Sequence, residues 1–224
     1  MEMDKKAIQR KRMMKYFIDA VEKIIQEEGI EFVTIRKVSD IAGFNSATIY
    51  NYFGNLNELL FFSSIKYLED YAHDLPNYTN SCSNSLDTFM GIWRCFCLHS
   101  YKNPRAYYNL FFEEGVNPSN SSIRNYFHIF SDELSNQSEE LLPMLLGERI
   151  YDRNLTILKK CAKDGFIKEE DLEEINEMIL LIYHSMLYRV LKHQCSYTAE
   201  EATEKTLSYI GHTINSFRNT NSKA

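Results

Sequence analysis

Ser46, Thr48, Tyr50, Asn51 and Tyr52 bring hydroxyl and amide groups close together on one short stretch of chain. Small hydrogen-bonding side chains on the N-terminal half of a helix suit entry into a DNA major groove, where base edges offer donors and acceptors. Arg36 and Lys37, a little upstream, carry the charge that grips phosphate. No catalytic chemistry competes with this reading. The sequence holds no Ser/His/Asp elbow, phosphate-cradling loop or cofactor fingerprint, and its six histidines show no HExxH or paired-ligand spacing. Cys95 and Cys97, two apart, point to different faces of a helix and make a poor metal pair. An enzyme, a cofactor and a metal site are therefore not expected.

The elements that must position the polar stretch are two short helices and a tight turn. Thr34 is placed to cap the first, on which Ile35, Val38, Ile41 and Ala42 recur at helical spacing. Gly43 falls where that helix must stop, since glycine takes a left-handed backbone without penalty. Phe44 is expected to plug the angle between the helices. Asn45 can cap the second helix, predicted over residues 46–53, with Ile49 and Phe53 turned to the core and the polar residues outward. As a bare pattern, an ordinary helical hairpin with solvated polar groups fits equally well.

The wording of the motif decides between them. The run Thr34…Ile41-Ala42-Gly43…Thr48-Ile49-Tyr50-Asn51-Tyr52-Phe53…Glu58-Leu59-Leu60 closely resembles the DNA-binding domain of the tetracycline-repressor (TetR) family of transcription regulators. The resemblance covers about the first quarter of the chain. It implies an all-α protein, with a three-helix DNA-binding head over residues 1–55 and a larger helical effector-binding and dimerisation domain over 56–224. It also implies that Asn45, Ser46, Ala47, Thr48, Tyr50, Asn51 and Tyr52 face DNA, while Arg36 and Lys37 hold phosphates. Family members commonly place a phosphate-touching lysine where this chain has Leu56. Its loss predicts weaker or differently salt-dependent binding, because the backbone N–H groups of that helix start remain available.

Charge is distributed to match. The net charge is −6 over 224 residues. Residues 1–55 carry nine Lys/Arg against eight Asp/Glu, so the acidic excess lies beyond them. Lys5, Lys6, Arg10, Lys11, Arg12 and Lys15 crowd the N-terminus. Acidic charge elsewhere would orient the molecule on a polyanion. A hydrophobic share of 44% with only four prolines and eight glycines favours a helical globular protein with a substantial core. No apolar run is long enough to span a membrane, and the charged N-terminus lacks a signal-peptide core, so a cytoplasmic protein is expected. Five scattered cysteines argue against a disulfide framework.

Around the motif the chain reads as further helices. The first, over 7–28, carries the stripe Met14, Phe17, Ile18, Val21, Ile24 and Ile25. A helix from the Asn55/Glu58 capping pair runs to Pro76, and the polar segment 77–84 reads as a linker. Helices follow with Trp93 and Phe96 on one, Tyr108 and Phe112 on the next from Pro104, and Phe127 on one from Ser121 past Leu134, its far end broken at Pro143. A further helix spans 148–164. The aromatic density suits a flat or hydrophobic effector, and Trp93, Phe96, Tyr108, Phe112, Phe127 and Tyr183 are the candidates; each would serve equally as plain core. The helix over 169–193 is apolar beyond one stripe and must bury two sides. Thr198 and Glu201 form a capping box for the last helix. By resemblance, these two helices pair with their symmetry mates in a homodimer. The expectation is a ligand-responsive regulator, read as a repressor that binds a near-palindromic double-stranded operator and is released by a small hydrophobic or aromatic effector. A repressor and an activator would share this signature. A dimeric ligand- or protein-binding module that no longer reads DNA is the alternative, supported by Leu56.

Overall fold

The computed structural model describes residues 5–113, 123–130, 139 and 141–218. Among them the regular structure is helical, with one isolated β-bridge between Ile167 and Arg218. The chain divides into two compact units. The first comprises residues 1–66 with 113–132, and the second residues 67–112 with 133–224.

In the first unit, α1 (Lys5–Glu27) buries Met14, Phe17, Ile18, Val21 and Ile24 of the predicted stripe and leaves Ile25 half-buried; it packs on α2 (Ile35–Ala42), which leads into α3 (Ser46–Ile49). Phe17 is the hub. Its ring lies 5.5 Å from Phe44, 5.9 Å from Tyr52 and 6.4 Å from Phe53. Phe44 thus plugs the interhelix angle as expected. The start of α4 (Leu56–Asp74) is fixed by Asn55, whose Oδ1 accepts the Glu58 N–H at 2.8 Å, while the Glu58 carboxylate accepts the Gly54 N–H at 2.6 Å. Phe62 on α4 packs 5.6 Å from Phe53 and 5.8 Å from Tyr126 of α8 (Ile123–Ile129). The expected start and end of that helix at Ser121 and Leu134 lie outside the described residues.

Ile41 departs from its expected place. It is exposed, and Ser39 takes an inner position beside Val38. At 100° per residue, residues 35, 38, 39 and 42 share a face, and residue 41 lies more than a quarter turn from it.

The second unit is built on α6 (Ser85–Lys102), which packs on α10 (Ile150–Lys163) and α12 (Ala199–Ser216). The helix α11 (Leu172–Leu191) packs on α10, α12 and α7 (Pro104–Phe111). The segment predicted as a linker begins with a short helix, α5 (Pro76–Thr79), because Pro76 supplies a preset first-turn φ. Asn84 then caps α6 by accepting the Asp87 N–H at 2.8 Å. The short α9 (Leu142–Leu145) holds Pro143 in its first turn. The Thr198/Glu201 box forms with both hydrogen bonds, at 2.9 and 3.1 Å. On α12, Thr203, Thr206, Leu207, Ile210, Thr213 and Ile214 form the buried face, whereas Phe217 is half-buried.

Candidate nucleic-acid interface and effector chamber

The polar stretch is held by a locked turn. Thr34 Oγ1 accepts the Lys37 N–H at 3.2 Å and starts α2. Gly43 ends it with φ 76° and ψ 28°, and the N–H groups of Gly43 and Phe44 both return to the Ser39 carbonyl. Asn45 Oδ1 then accepts the N–H groups of Ala47 and Thr48, at 2.6 and 3.3 Å. Regular helix ends at Ile49, four residues before the predicted limit. Beyond it the Asn51 and Tyr52 N–H groups bond to carbonyls three residues back, a tighter winding that brings Phe53 into the core.

This winding sorts the predicted contact residues. Arg36, Asn45, Ala47, Tyr50 and Asn51 are exposed, with Tyr50 at 55%. Thr48 is half-buried at the edge of the same face. Ser46 is turned inward, its Oγ 2.9 Å from Ser39 Oγ, which itself donates to the Arg36 carbonyl at 2.8 Å. Because a hydroxyl has one proton, Ser46 donates to Ser39, and the pair ties α3 to α2. Ser39 was not singled out from sequence; its signal is a polar residue at an apolar-face position. Tyr52 lies against Phe17 with the Arg10 guanidinium 5.7 Å from its ring centre. Lys37 Nζ is 2.7 Å from Glu28, in a pair whose side chains are about 40% exposed and which solvent screens. Lys66 faces Glu22 at 2.5 Å and Asp19 at 3.7 Å, offsetting acidic charge on the later part of α1. Lys5, Arg12 and Lys15, on its earlier part, are exposed.

Residues 17–61, which span this whole turn, match the family described as bacterial regulatory proteins, tetR family. The head therefore matches the N-terminal domain of the TetR family. No curated relative matches the sequence. Among solved structures, the fold is shared with Thermus thermophilus FadR, a TetR-family transcriptional repressor in complex with lauroyl-CoA, at 15% identity and TM-score 0.61, covering 94% of this chain and 99% of that one. RolR complexed with resorcinol follows at 15% identity, TM-score 0.59 and coverage of 94% and 90%. A TetR transcription regulator from Haloarcula marismortui has 14% identity, TM-score 0.59 and coverage of 93% and 99%.

The second unit holds a partly open cavity. Its walls come from Tyr71 on α4, Phe89, Trp93 and Phe96 on α6, Met144 on α9, and Ile150, Arg153 and Asn154 on α10. The cavity volume is about 30 Å³. That is room for roughly two or three waters. The six aromatic candidates fall into three groups. Trp93 and Phe96 line the cavity, with Tyr183 packed behind them at 5.4 and 5.2 Å. Phe112 instead stacks on His184 at 4.1 Å, and Tyr108 lies 5.9 Å from the same imidazole. Burial lowers the pKa of His184. Phe127 is buried in the first unit, edge-on to Tyr126.

Two polar groups of the wall were missed. Asn154 Oδ1 accepts the Trp93 indole N–H at 2.9 Å, and its amide donates to Asn176 Oδ1 at 2.7 Å; Asn176 donates in turn to the Tyr151 carbonyl at 3.3 Å. Arg153 is buried, with Nη1 donating to the Leu145 and Gly147 carbonyls at 2.6 and 3.4 Å and the guanidinium 5.6 Å from the Phe111 ring centre. Burial lowers its pKa, yet a guanidinium stays protonated in a protein.

Asp74, Cys95 and His99 also meet, with ligand atoms within 4.8 Å of one another. Cys95 and His99 are one helical turn apart on α6. Burial would raise Asp74, but hydrogen bonds from Asn77 and His99 outweigh it and hold the carboxyl below its usual range. Burial pushes the Cys95 thiol far up, so it stays protonated. The trio is internally hydrogen-bonded, with Cys95 weakly bonded to the Tyr71 carbonyl.

Proposed function

We propose that this protein is a ligand-responsive transcriptional repressor that binds a near-palindromic operator as a homodimer. The observation that carries the reading is the face formed by Ala47, Thr48, Tyr50 and Asn51, presented to solvent from a turn locked by Gly43 and Asn45. In this reading residues 1–55 act as the DNA-binding domain and 56–224 as the effector-binding and dimerisation domain. Thr48, Tyr50 and Asn51 read base edges, while Arg36, Lys37 and the basic residues of α1 hold phosphates. Asn45 and Ser46 act by holding the turn, and Tyr52 by seating Arg10. Leu56 removes one charge contact without disturbing α4.

Dimerisation through α11 and α12 is supported by the apolar surface they leave open. Met178, Leu181 and Tyr188 on α11 and Tyr209 on α12 are 38–62% exposed. Residues 178, 181 and 188 recur at heptad-like spacing on the side of α11 opposite its buried face, which suits a helix packed on both sides. Two-fold symmetry then offers two recognition segments to successive major grooves roughly 34–36 Å apart. The cavity lined by Trp93 and Phe96 is the effector chamber of this proposal. FadR with lauroyl-CoA and RolR with resorcinol are precedents for a ligand in this fold, and neither ligand is carried over.

Selection of duplexes from a random DNA pool by purified protein, at modest salt and without ligand, tests the reading. An enriched near-palindrome with half-sites one helical turn apart is expected. Absence of enrichment by folded, dimeric protein, both for the wild type and for Leu56→Lys, would leave the alternative of a module that no longer reads DNA.

A further inference from the structure

Arg153 carries a charge that its surroundings do not account for. The residue is 4% exposed and lines the cavity. Its Nη1 is occupied by two carbonyls, whereas the buried Nη2 has no hydrogen-bond partner among the described residues. Among the described residues no carboxylate lies within ion-pair distance, and the exposed Glu148 acts on it only through space. The Phe111 ring compensates one face of the guanidinium and offers nothing to Nη2. A buried cation without a counter-charge is strongly unfavourable, and an apolar residue of similar volume in its place is often neutral or stabilising. Such a residue is explained if something else completes it.

We infer that the chamber takes a small organic anion, an aryl or short alkyl carboxylate whose head group is bound by Arg153. Its apolar body then lies against Phe89, Trp93 and Phe96. This rests on the reading of the cavity as an effector chamber, and it names the chemistry of the effector. The guanidinium edge is a planar fork that matches carboxylate geometry, and a charge-assisted bond in a water-poor cavity is stronger than a neutral one. Aromatic walls complement a flat or hydrocarbon body. The present space holds no ring, so entry requires the wall to give. Met144, also in the lining, is the flexible side chain suited to that.

Trp93 is the sole tryptophan of the chain and lies in the wall, so its emission reports on the chamber directly. Full-length protein is titrated with benzoate and 2-naphthoate, and with the corresponding neutral amides, at fixed ionic strength. Saturable changes are expected with the carboxylates, at concentrations about tenfold or more below the amides, equivalent to about 1.4 kcal/mol. In Arg153→Met that preference disappears while amide binding remains, and in Arg153→Lys part of it survives. Equal binding of acid and amide by the wild type, or an unchanged preference in Arg153→Met, overturns the inference and leaves a chamber for neutral effectors. Silence of Trp93 toward both series removes the chamber reading as well. Should Arg153→Met lose its helical signal, the wild-type comparison of acid against amide decides alone.

Discussion

Replacing Asn154 by leucine leaves the Trp93 indole N–H and the Asn176 Oδ1 without partners, both in buried surroundings. Each orphaned group costs about 1–3 kcal/mol, so the variant should lose about 2–4 kcal/mol after the gain from a more apolar side chain. Asn176→Leu orphans the Asn154 amide and one bond to the Tyr151 carbonyl, and should cost about 1–3 kcal/mol. The double variant is the decisive one. It removes both ends of the 2.7 Å amide–amide bond together, so neither the Asn176 oxygen nor the Asn154 amide is left stranded. It should therefore be less destabilised than the sum of the singles by about 2 kcal/mol or more. Urea unfolding at fixed protein concentration, followed by Trp93 emission and helical circular dichroism, measures all four species. Additivity within about 0.5 kcal/mol would refute the claim that the two amides act as one network.

Two glycines should fail for different reasons. At Gly43 no heavy atom crowds the site, so Gly43→Ala costs about 1–2 kcal/mol through its left-handed backbone alone, and Gly43→Asn should recover a good part of that in thermal unfolding. At Gly91 the backbone is helical, but a methyl group would overlap the Tyr78 carbonyl oxygen. There Gly91→Ala and Gly91→Asn should both destabilise, by about 1–3 kcal/mol or more, with no relief from asparagine. For His184, burial favours the neutral imidazole in the folded state, so its contribution is present above the unfolded pKa of about 6.5 and is lost as pH falls below it. Melting temperatures across pH 7.5 to 5 should show an acid-side decline that is shallower in His184→Gln; an identical decline would place the effect elsewhere.

The head was legible because its determinants are local. A capping threonine, a stop glycine and a capping asparagine each act within four residues of themselves, and all three act as read. What failed there needed one more residue of context. Ile41 was assigned inward from spacing alone, when Ser39 completes the inner face. Spacing alone carries the second helix of the motif to residue 53, whereas its last turn tightens to seat Phe53. In the second unit the helices were legible from periodicity, but their partners were not. Trp93 and Tyr183 meet across 90 residues of sequence, whereas Phe127 packs in the other unit. Aromatic content could not sort them. Arg153 and Asn154 did carry a signal. They occupy the apolar stripe of α10 between Ile150 and Ile157, and a polar pair in such a stripe marks either a buried network or a site.

The small size of the chamber constrains how an effector can act. Space for two or three waters means that any larger ligand binds a state in which the wall has moved, and its apparent affinity falls by the fraction of protein in that state. A ligand that lowers operator affinity 100-fold must favour the open state by about 2.7 kcal/mol relative to the closed one. Contact with the aromatic walls alone could stabilise open and closed states alike once the cavity exists. A charged head group differs, because Nη2 of Arg153 lacks a partner among the described residues until the anion arrives, so its bond is made in one state and absent from the other. Tyr71, in the same wall, belongs to α4, the helix that begins at Leu56 directly after the recognition segment. In the proposed function the anion's differential binding at Arg153 is therefore the energy source.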